Sequence, residues 1–192
     1  LITGCALKDG SPTDPFVCSG SRAKHLRKEM YTTLKRIQQR DASEWRTDER
    51  FGHYQNALTD IVEKASRQAI EYAHQFENPV LVMEDLTYIR ERLDYGTYMN
   101  RRLHSWAFAR LQGRIEDKAT DAAIPVEYVN PAYTSQTCHS CHRIGRRDSQ
   151  AEFRCPNDDC HVLTFQADIN ASANIARRVD PWGESVPLDK AE

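Results

Sequence analysis

The chain has 192 residues, 40% of them apolar and 28% charged, with a formal net charge of −2 and a pI near 6.4. That length supports one sizeable core with a small satellite rather than two full domains. The near-neutral balance excludes a global basic field, so a nucleic-acid partner would have to be met by local patches.

Leu1 to Leu7, a turn at Lys8-Asp9-Gly10-Ser11-Pro12, and Phe16-Val17-Cys18 predict a β-hairpin. The opening residues read as a strand already under way, as if the chain were cut at its front. A helix is expected from about Ser21 to Arg40, then a charged break at Arg40 to Glu44. A second helix is expected from Tyr54 to Phe76, with Leu58, Ile61, Val62, Ala65, Ala69, Ile70 and Ala73 on one face. Asn78-Pro79 ends it. Val80 to Met83 is a short apolar run that reads as a strand buried on both faces, with Glu84 and Asp85 where it emerges. A third helix spans Tyr98 to Ala119 on a stripe of Leu103, Trp106, Ala107, Leu111 and Ile115. Its polar face carries Arg101, Arg102, Arg110 and Arg114, which from composition read as a solvated face. Pro125 to Val129 is a further strand, and a last helix runs from about Asp168 to Arg178. The residues after Asp180-Pro181 have the composition of a loose tail.

Between that strand and the last helix stand two close cysteine pairs, Cys138-His-Ser-Cys141 and Cys155-Pro-Asn-Asp-Asp-Cys160. Two short Cys turns facing each other across a hairpin supply four tetrahedral ligands without a hydrophobic core, so structural zinc is the expected occupant. Disulfides or ordinary buried thiols are the alternative. His139, His142 and His161 could each replace a thiolate but read as bystanders, because four cysteines fill the site. Cys5 and Cys18 show no framework spacing, so the chain reads as reduced and intracellular. No apolar run approaches a membrane span, and the start lacks the pattern of a signal peptide. Glu84 at a strand end and Asp168 at a helix start occupy places where functional groups collect in α/β folds. Each has a plain reading as well, Glu84 as the first wet residue after a strand and Asp168 as a helix cap.

Four stretches together settle what these features resemble. They are Leu81-Val82-Met83-Glu84-Asp85-Leu86, then Trp106-Ala107-Phe108, then the run from Val129 through Thr134-Ser135-Gln136-Thr137-Cys138 to Cys141, and then Asp168-Ile169-Asn170-Ala171-Ser172-Ala173-Asn174-Ile175-Ala176. The chain from Leu1 to Arg178 resembles the C-terminal part of the TnpB or OrfB-type transposase family, relatives of the compact type V CRISPR nucleases. The resemblance implies an α/β, RNase H-like (RuvC) mixed sheet flanked by helices. It divides the chain into a nuclease core over 1–136 with its first strand truncated, a zinc-ribbon insert over 137–164, a final core helix over 165–180, and a flexible tail over 181–192. It implies an RNA-guided DNA endonuclease in which three acids hold two Mg²⁺ or Mn²⁺ ions. Glu84 and Asp168 match the second and third acids. The first, in an Asp-x-Gly run, is expected upstream of residue 1, and Asp9, the nearest alternative, has the composition of a hairpin tip.

The same resemblance turns Arg101, Arg102, Arg110 and Arg114, with Arg143, Arg146 and Arg147 at the ribbon tip, into candidate phosphate contacts. Tyr133 and Gln136 become candidates for the substrate groove. The implied partners are DNA and, in the full-length family protein, a guide RNA, with no membrane. The implied setting is a prokaryotic cytoplasm, at the nucleoid. This stretch alone, lacking the first acid, is expected to be inactive. The competing reading is a nuclease-dead zinc-ribbon module that binds DNA or RNA as a transposon remnant or regulator.

Overall fold

The computed structural model describes residues 2–8, 11–40, 43–86, 98–149 and 151–179. Asp9 and the tail fall outside these, as do the side chains of residues 98–107, and with them Arg101, Arg102, Leu103, Trp106 and Ala107.

The expected hairpin is present. Strand β1 (Ile2–Lys8) pairs antiparallel with β2 (Ser11–Cys18), from Ile2 opposite Cys18 to Lys8 opposite Ser11, with an irregularity between Gly4 and Ala6. Pro12 and Pro15 suit β2 to an outer position, since a proline cannot donate to a further ladder. Helix α1 (Ser21–Gln38) follows.

Helix α2 (Glu44–Ala73) begins ten residues earlier than the expected Tyr54. Its first turns are polar and show no apolar stripe, so periodicity misses them. Once the buried half has nucleated, each further turn adds hydrogen bonds at small cost. The hydroxyls of Thr33 on α1 and Tyr54 on α2 meet at 3.1 Å. Leu58, Val62, Ala65, Ala69, Ile70 and Ala73 form the buried stripe, and the helix gives way before Asn78, whose φ of 53° precedes Pro79.

Strand β3 (Leu81–Glu84) runs parallel to β4 (Val126–Val129), with Leu81 opposite Val126 and Glu84 opposite Val129. Helix α3 (Tyr98–Asp121) connects them. The stripe of α2 packs on Leu111, Ile115, Ala119 and Ile124, with Leu81 and Met83 against that core. All four β3 residues are half-buried rather than enclosed on both faces. The reason is topological: among the described residues β3 pairs only with β4, and its other edge borders an open cleft. Likewise β1 pairs only with β2. Among the described residues these strands form two-stranded ladders in a mixed α/β arrangement.

The cysteine region builds a small antiparallel sheet of β5 (Arg146–Arg147), β6 (Glu152–Arg154) and β7 (Thr164–Gln166). Helix α4 (Ala167–Ala176) starts at the residue after β7 and packs against β1. No helix among the described residues is long and apolar enough to cross a membrane.

One carboxylate ties the two large helices together. Glu63 on α2 accepts from Arg114 Nε at 2.6 Å and from Lys118 Nζ at 2.6 Å, both on α3. The hydrogen bonds from Arg114 and then Lys118 hold its carboxyl down at about 2, from an ordinary 4.5. A depressed folded-state pKa stabilises the fold above the unfolded-state value and loses that contribution as the pH falls through the folded one. Glu63→Gln should therefore melt below the wild type at pH 7, and the gap should close as the pH drops from 4.5 towards 2. Thermal melts across that range check it.

Candidate metal and carboxylate site

The four cysteines converge. Cys138 and Cys141 lie on the turn after Thr137, while Cys155 follows β6 and Cys160 closes the next turn. Their sulfurs all lie within 4.8 Å of one another, with Cys138 to Cys160 at 3.9 Å and Cys141 to Cys155 at 3.5 Å. A tetrahedral ion with Zn–S bonds of about 2.3 Å requires sulfur separations of about 3.8 Å. The donor set therefore fits an ion of zinc's size and softness, and no disulfide joins these thiols. Burial pushes Cys155 up to about 12 and Cys138 upward. Burial acts the same way on Cys141, but hydrogen bonds from the Arg143 backbone and from neighbouring thiols outweigh it and bring the group to about 7. Cys138 and Cys155 become thiolates near neutral pH only beside a compensating cation.

The histidines stand aside from the cluster. His161 Nδ1 lies 3.4 Å from Ser140 Oγ, and His142 Nε2 lies 3.2 Å from Arg177 Nη1. The His139 ring packs on Phe165 at 4.5 Å and sits 3.0 Å from Asn170 Oδ1. Asn170 Oδ1 also accepts from the His139 backbone N–H at 3.0 Å, and Asn170 Nδ2 donates to the Thr137 carbonyl at 2.8 Å. One turn on, Asn174 Nδ2 donates to the carbonyls of Thr134 and Thr137 at 2.8 and 2.6 Å. Both amides are fully or nearly fully buried. They fasten α4 to the cysteine turn.

That fastening positions Asp168. It lies in the first turn of α4, and the cap is Gln166, whose side chain accepts from Ile169 N at 2.6 Å. The plain reading of Asp168 as a cap thus gives way to a carboxylate turned elsewhere. Its Oδ1 accepts from Arg147 Nη2 at 2.9 Å, and each side chain is about one-third exposed. Its backbone carbonyl accepts from Thr3 on β1 at 3.1 Å.

Glu84, at the end of β3, accepts from Thr134 Oγ1 at 2.7 Å, while its backbone carbonyl accepts from Gln112 Nε2 at 2.8 Å. The buried Arg178 guanidinium bonds the Ala132 carbonyl and interacts electrostatically with Glu84. Glu84 and Asp168 line one cleft of about 1040 Å³, together with Thr3, Gln112, Thr134, Ser135 and Arg147. Carboxylate oxygens of this kind are the hard donors that divalent cations such as Mg²⁺ prefer.

The other sequence candidates fall in several places. Arg147 turns inward to Asp168 instead of outward from the ribbon tip. Arg114 is engaged by Glu63 and Asp117. Arg110, Arg143 and Arg146 are exposed, the last 3.8 Å from Asp148. Tyr133 and Gln136 are exposed beside the cleft, whereas Thr134 and Ser135 line it. The residues sequence reading passed over are Thr134, Gln112, Gln166, Asn170 and Asn174. For the last two a signal existed: two asparagines four apart, in a short helix, are poor helix formers that need another reason to be there.

A profile of the Cas12f1-like TNB domain matches residues 108–175. A TnpB-like protein of Methanocaldococcus jannaschii is 35% identical over 133 residues, covering 69% of this chain and 46% of that protein. The CRISPR-associated endodeoxyribonuclease Cas12f1 of Sulfoacidibacillus thermotolerans is 39% identical over 113 residues, covering 58% and 25%. Among solved structures, a chain from the cryo-EM structure of a Cas12f1–sgRNA–target DNA complex superposes with a TM-score of 0.67 at 22% identity, over 91% of this chain and 49% of that one. The class is thus a mixed α/β domain sharing the fold of a Cas12f1 chain and carrying a four-cysteine cluster beside a carboxylate cleft. The chain belongs to the TnpB family. It spans half or less of the length of these relatives.

Asn170→Ala should orphan the Thr137 carbonyl and the His139 N–H, costing about 1–3 kcal/mol for each buried group left unpaired, as read by denaturant unfolding. Cys155→Ser should lose the bound metal and loosen β5 to β7, because metal binding and folding of such hairpins are coupled. Metal content and amide exchange check this, and full occupancy with unchanged exchange would count against the site.

Proposed function

We propose that this chain is the RuvC-type, RNase H-like nuclease portion of a transposon-associated, RNA-guided DNA endonuclease. Residues 1–136 and 165–180 form the core, and residues 137–164 form a ribbon inserted in it that holds structural zinc on Cys138, Cys141, Cys155 and Cys160. The observation that carries the reading is the shared cleft: Glu84 at a strand end and Asp168 in a helix start, far apart in sequence, open onto the same space. The relatives named as endodeoxyribonucleases and the complex with sgRNA and target DNA support the substrate and partners.

Divalent Mg²⁺ or Mn²⁺ held by these carboxylates would stabilise the attacking water and the leaving oxygen at a phosphodiester. The chain's own groups prepare that site. Thr134 donates to Glu84 and so orients its carboxylate. Gln112 fixes the strand end that carries it. Arg147 pairs with Asp168 in the first turn of α4 and so orients its carboxylate. Arg101, Arg102, Arg110, Arg143, Arg146, Tyr133 and Gln136 are proposed as contacts to the nucleic acid around the cleft. The resemblance implies a third carboxylate at this site.

One observation favours the runner-up, a zinc-ribbon module that binds nucleic acid without cleaving it. Arg147 occupies Asp168 with a full ion pair. The two readings part on Mn²⁺-dependent cleavage of labelled single-stranded DNA by the natural polypeptide including whatever precedes Leu1. Glu84→Gln and Asp168→Asn should abolish cutting while sparing DNA affinity. Thr134→Val should lower it by roughly 10–100-fold, the usual cost of an outer-shell partner. Cutting retained in the Glu84 or Asp168 variant would remove that residue from the metal site, and binding without cutting in the wild type would favour the module.

A further inference from the structure

Helix α1 has no part in the cleft, yet its charge is the most one-sided in the molecule. From Ser21 to Arg40 the chain carries Arg22, Lys24, Arg27, Lys28, Lys35, Arg36 and Arg40 against Glu29 alone, a net of +6 in a chain of net −2, which leaves −8 for the rest. An amphipathic surface helix ordinarily mixes both signs on its wet face. Here Met30 and Leu34 are buried on one side. On the opposite side Lys24, Lys28, Tyr31 and Lys35 follow one another at helical spacing, all four exposed. Among the described residues the only ion pair on α1 is His25 with Glu29, so the three lysines of this stripe face solvent without a carboxylate. The stripe is on the order of 16 Å long at about 1.5 Å per residue.

An exposed aromatic follows in the chain. Thr33 against Tyr54 brings α1 and α2 into contact, and Trp45 is the second residue of α2, ten residues after Lys35. Trp45 is 62% exposed, a large apolar surface left in water. The Arg46 guanidinium lies 5.5 Å from the centre of its ring. A cation over one face leaves the other for a flat partner. The turns that follow are of mixed sign, with Glu44, Asp48 and Glu49 against Arg46 and Arg50, so the positive field belongs to α1.

We infer that α1 and Trp45 form a docking track for a single nucleic-acid strand, separate from the cleavage cleft, with phosphates along Lys24, Lys28 and Lys35 and a base stacked on Trp45. A row of exposed lysines on one helix and an exposed indole in the first turn of the next supply the electrostatic track and the stacking platform that single strands require. One strand presents about five charges over such a length at about 3.4 Å each. An acidic protein would satisfy the lysines but offers Trp45 a stacking partner only where it also presents a ring or a guanidinium, whereas every base of a single strand has a flat face. The inference rests on the reading of the chain as a nucleic-acid enzyme and adds a surface to it.

The experiment is anisotropy of fluorescein-labelled single-stranded RNA and DNA with the 192-residue chain, at 50 to 200 mM salt. Lys24→Gln/Lys28→Gln/Lys35→Gln keeps helix propensity nearly constant, which circular dichroism verifies. Lys64→Gln, on an exposed lysine already paired with Asp60, is the control. The triple variant should bind at least about tenfold more weakly, with a log K against log salt slope shallower by about 2, since each lost single-strand phosphate contact removes about 0.7. Trp45→Ala should weaken single strands about tenfold and leave duplex unchanged. Wild-type binding that survives in the triple variant with the same slope overturns the track, as does absence of wild-type binding or equal affinity for polyglutamate. Failure of the nuclease reading shows differently, as strand binding that depends on α1 with no cleavage by the longer polypeptide.

Discussion

The position of the last helix depends on two buried amides. Asn170 and Asn174 reach out of α4 to bond main-chain atoms of Thr134, Thr137 and His139, on the segment that leads into the first cysteine pair. Buried amides are held by the bonds they make: Asn170 uses both Oδ1 and Nδ2, while Asn174 makes two bonds from Nδ2 and leaves Oδ1 unbonded. The pairing therefore tolerates little sliding or rotation of the helix. Thr134 is held in the same network and turns its hydroxyl to Glu84. The cysteine cluster, the helix and the strand-end carboxylate are thus linked through one short piece of backbone.

This linkage gives the ribbon a role in geometry as well as in local stability. The cysteines close a miniature core with Phe153 and Val162, and Gly145 lets β5 pass so near β6 that an added Cβ would stand 2.5 Å from the Arg154 carbonyl oxygen. From that closely held strand Arg147 reaches Asp168. On the proposed function, the cation that organises the thiolates lies outside the chemistry but fixes the arginine and the amide contacts that frame it. Hard and soft donors are kept in separate pockets, as their preferences for different ions require.

Much of this was legible in the residues. The cysteine pairs announced their own convergence because ligand spacing is a local property, and Glu84 and Asp168 were marked by position at element ends together with the family resemblance. Helix α3, the hairpin and the parallel strand β4 followed from periodicity and breakers. The first third of α2 did not, since helix propagation needs no apolar stripe. The half-buried state of β3 was also missed, because a continuous apolar run does not reveal how many neighbours a strand has. Arg147 read as a ribbon-tip cation, for sequence gives the charge of a side chain and not its direction. Thr134 and Gln112 carry no signal of their own, and only the fold brings them to Glu84.

Strand β7 ends at Gln166 and α4 begins at Ala167, with no connecting residue between them. A helix turns about 100° and rises about 1.5 Å with every residue. One residue inserted at this junction would therefore swing Asp168 through more than a quarter turn and carry the two asparagines off their carbonyls. The turn around Ser149 joins β5 to β6 and sets the rotation of no helix. Length variation in this protein is accordingly better accommodated at that turn than where the ribbon meets the helix.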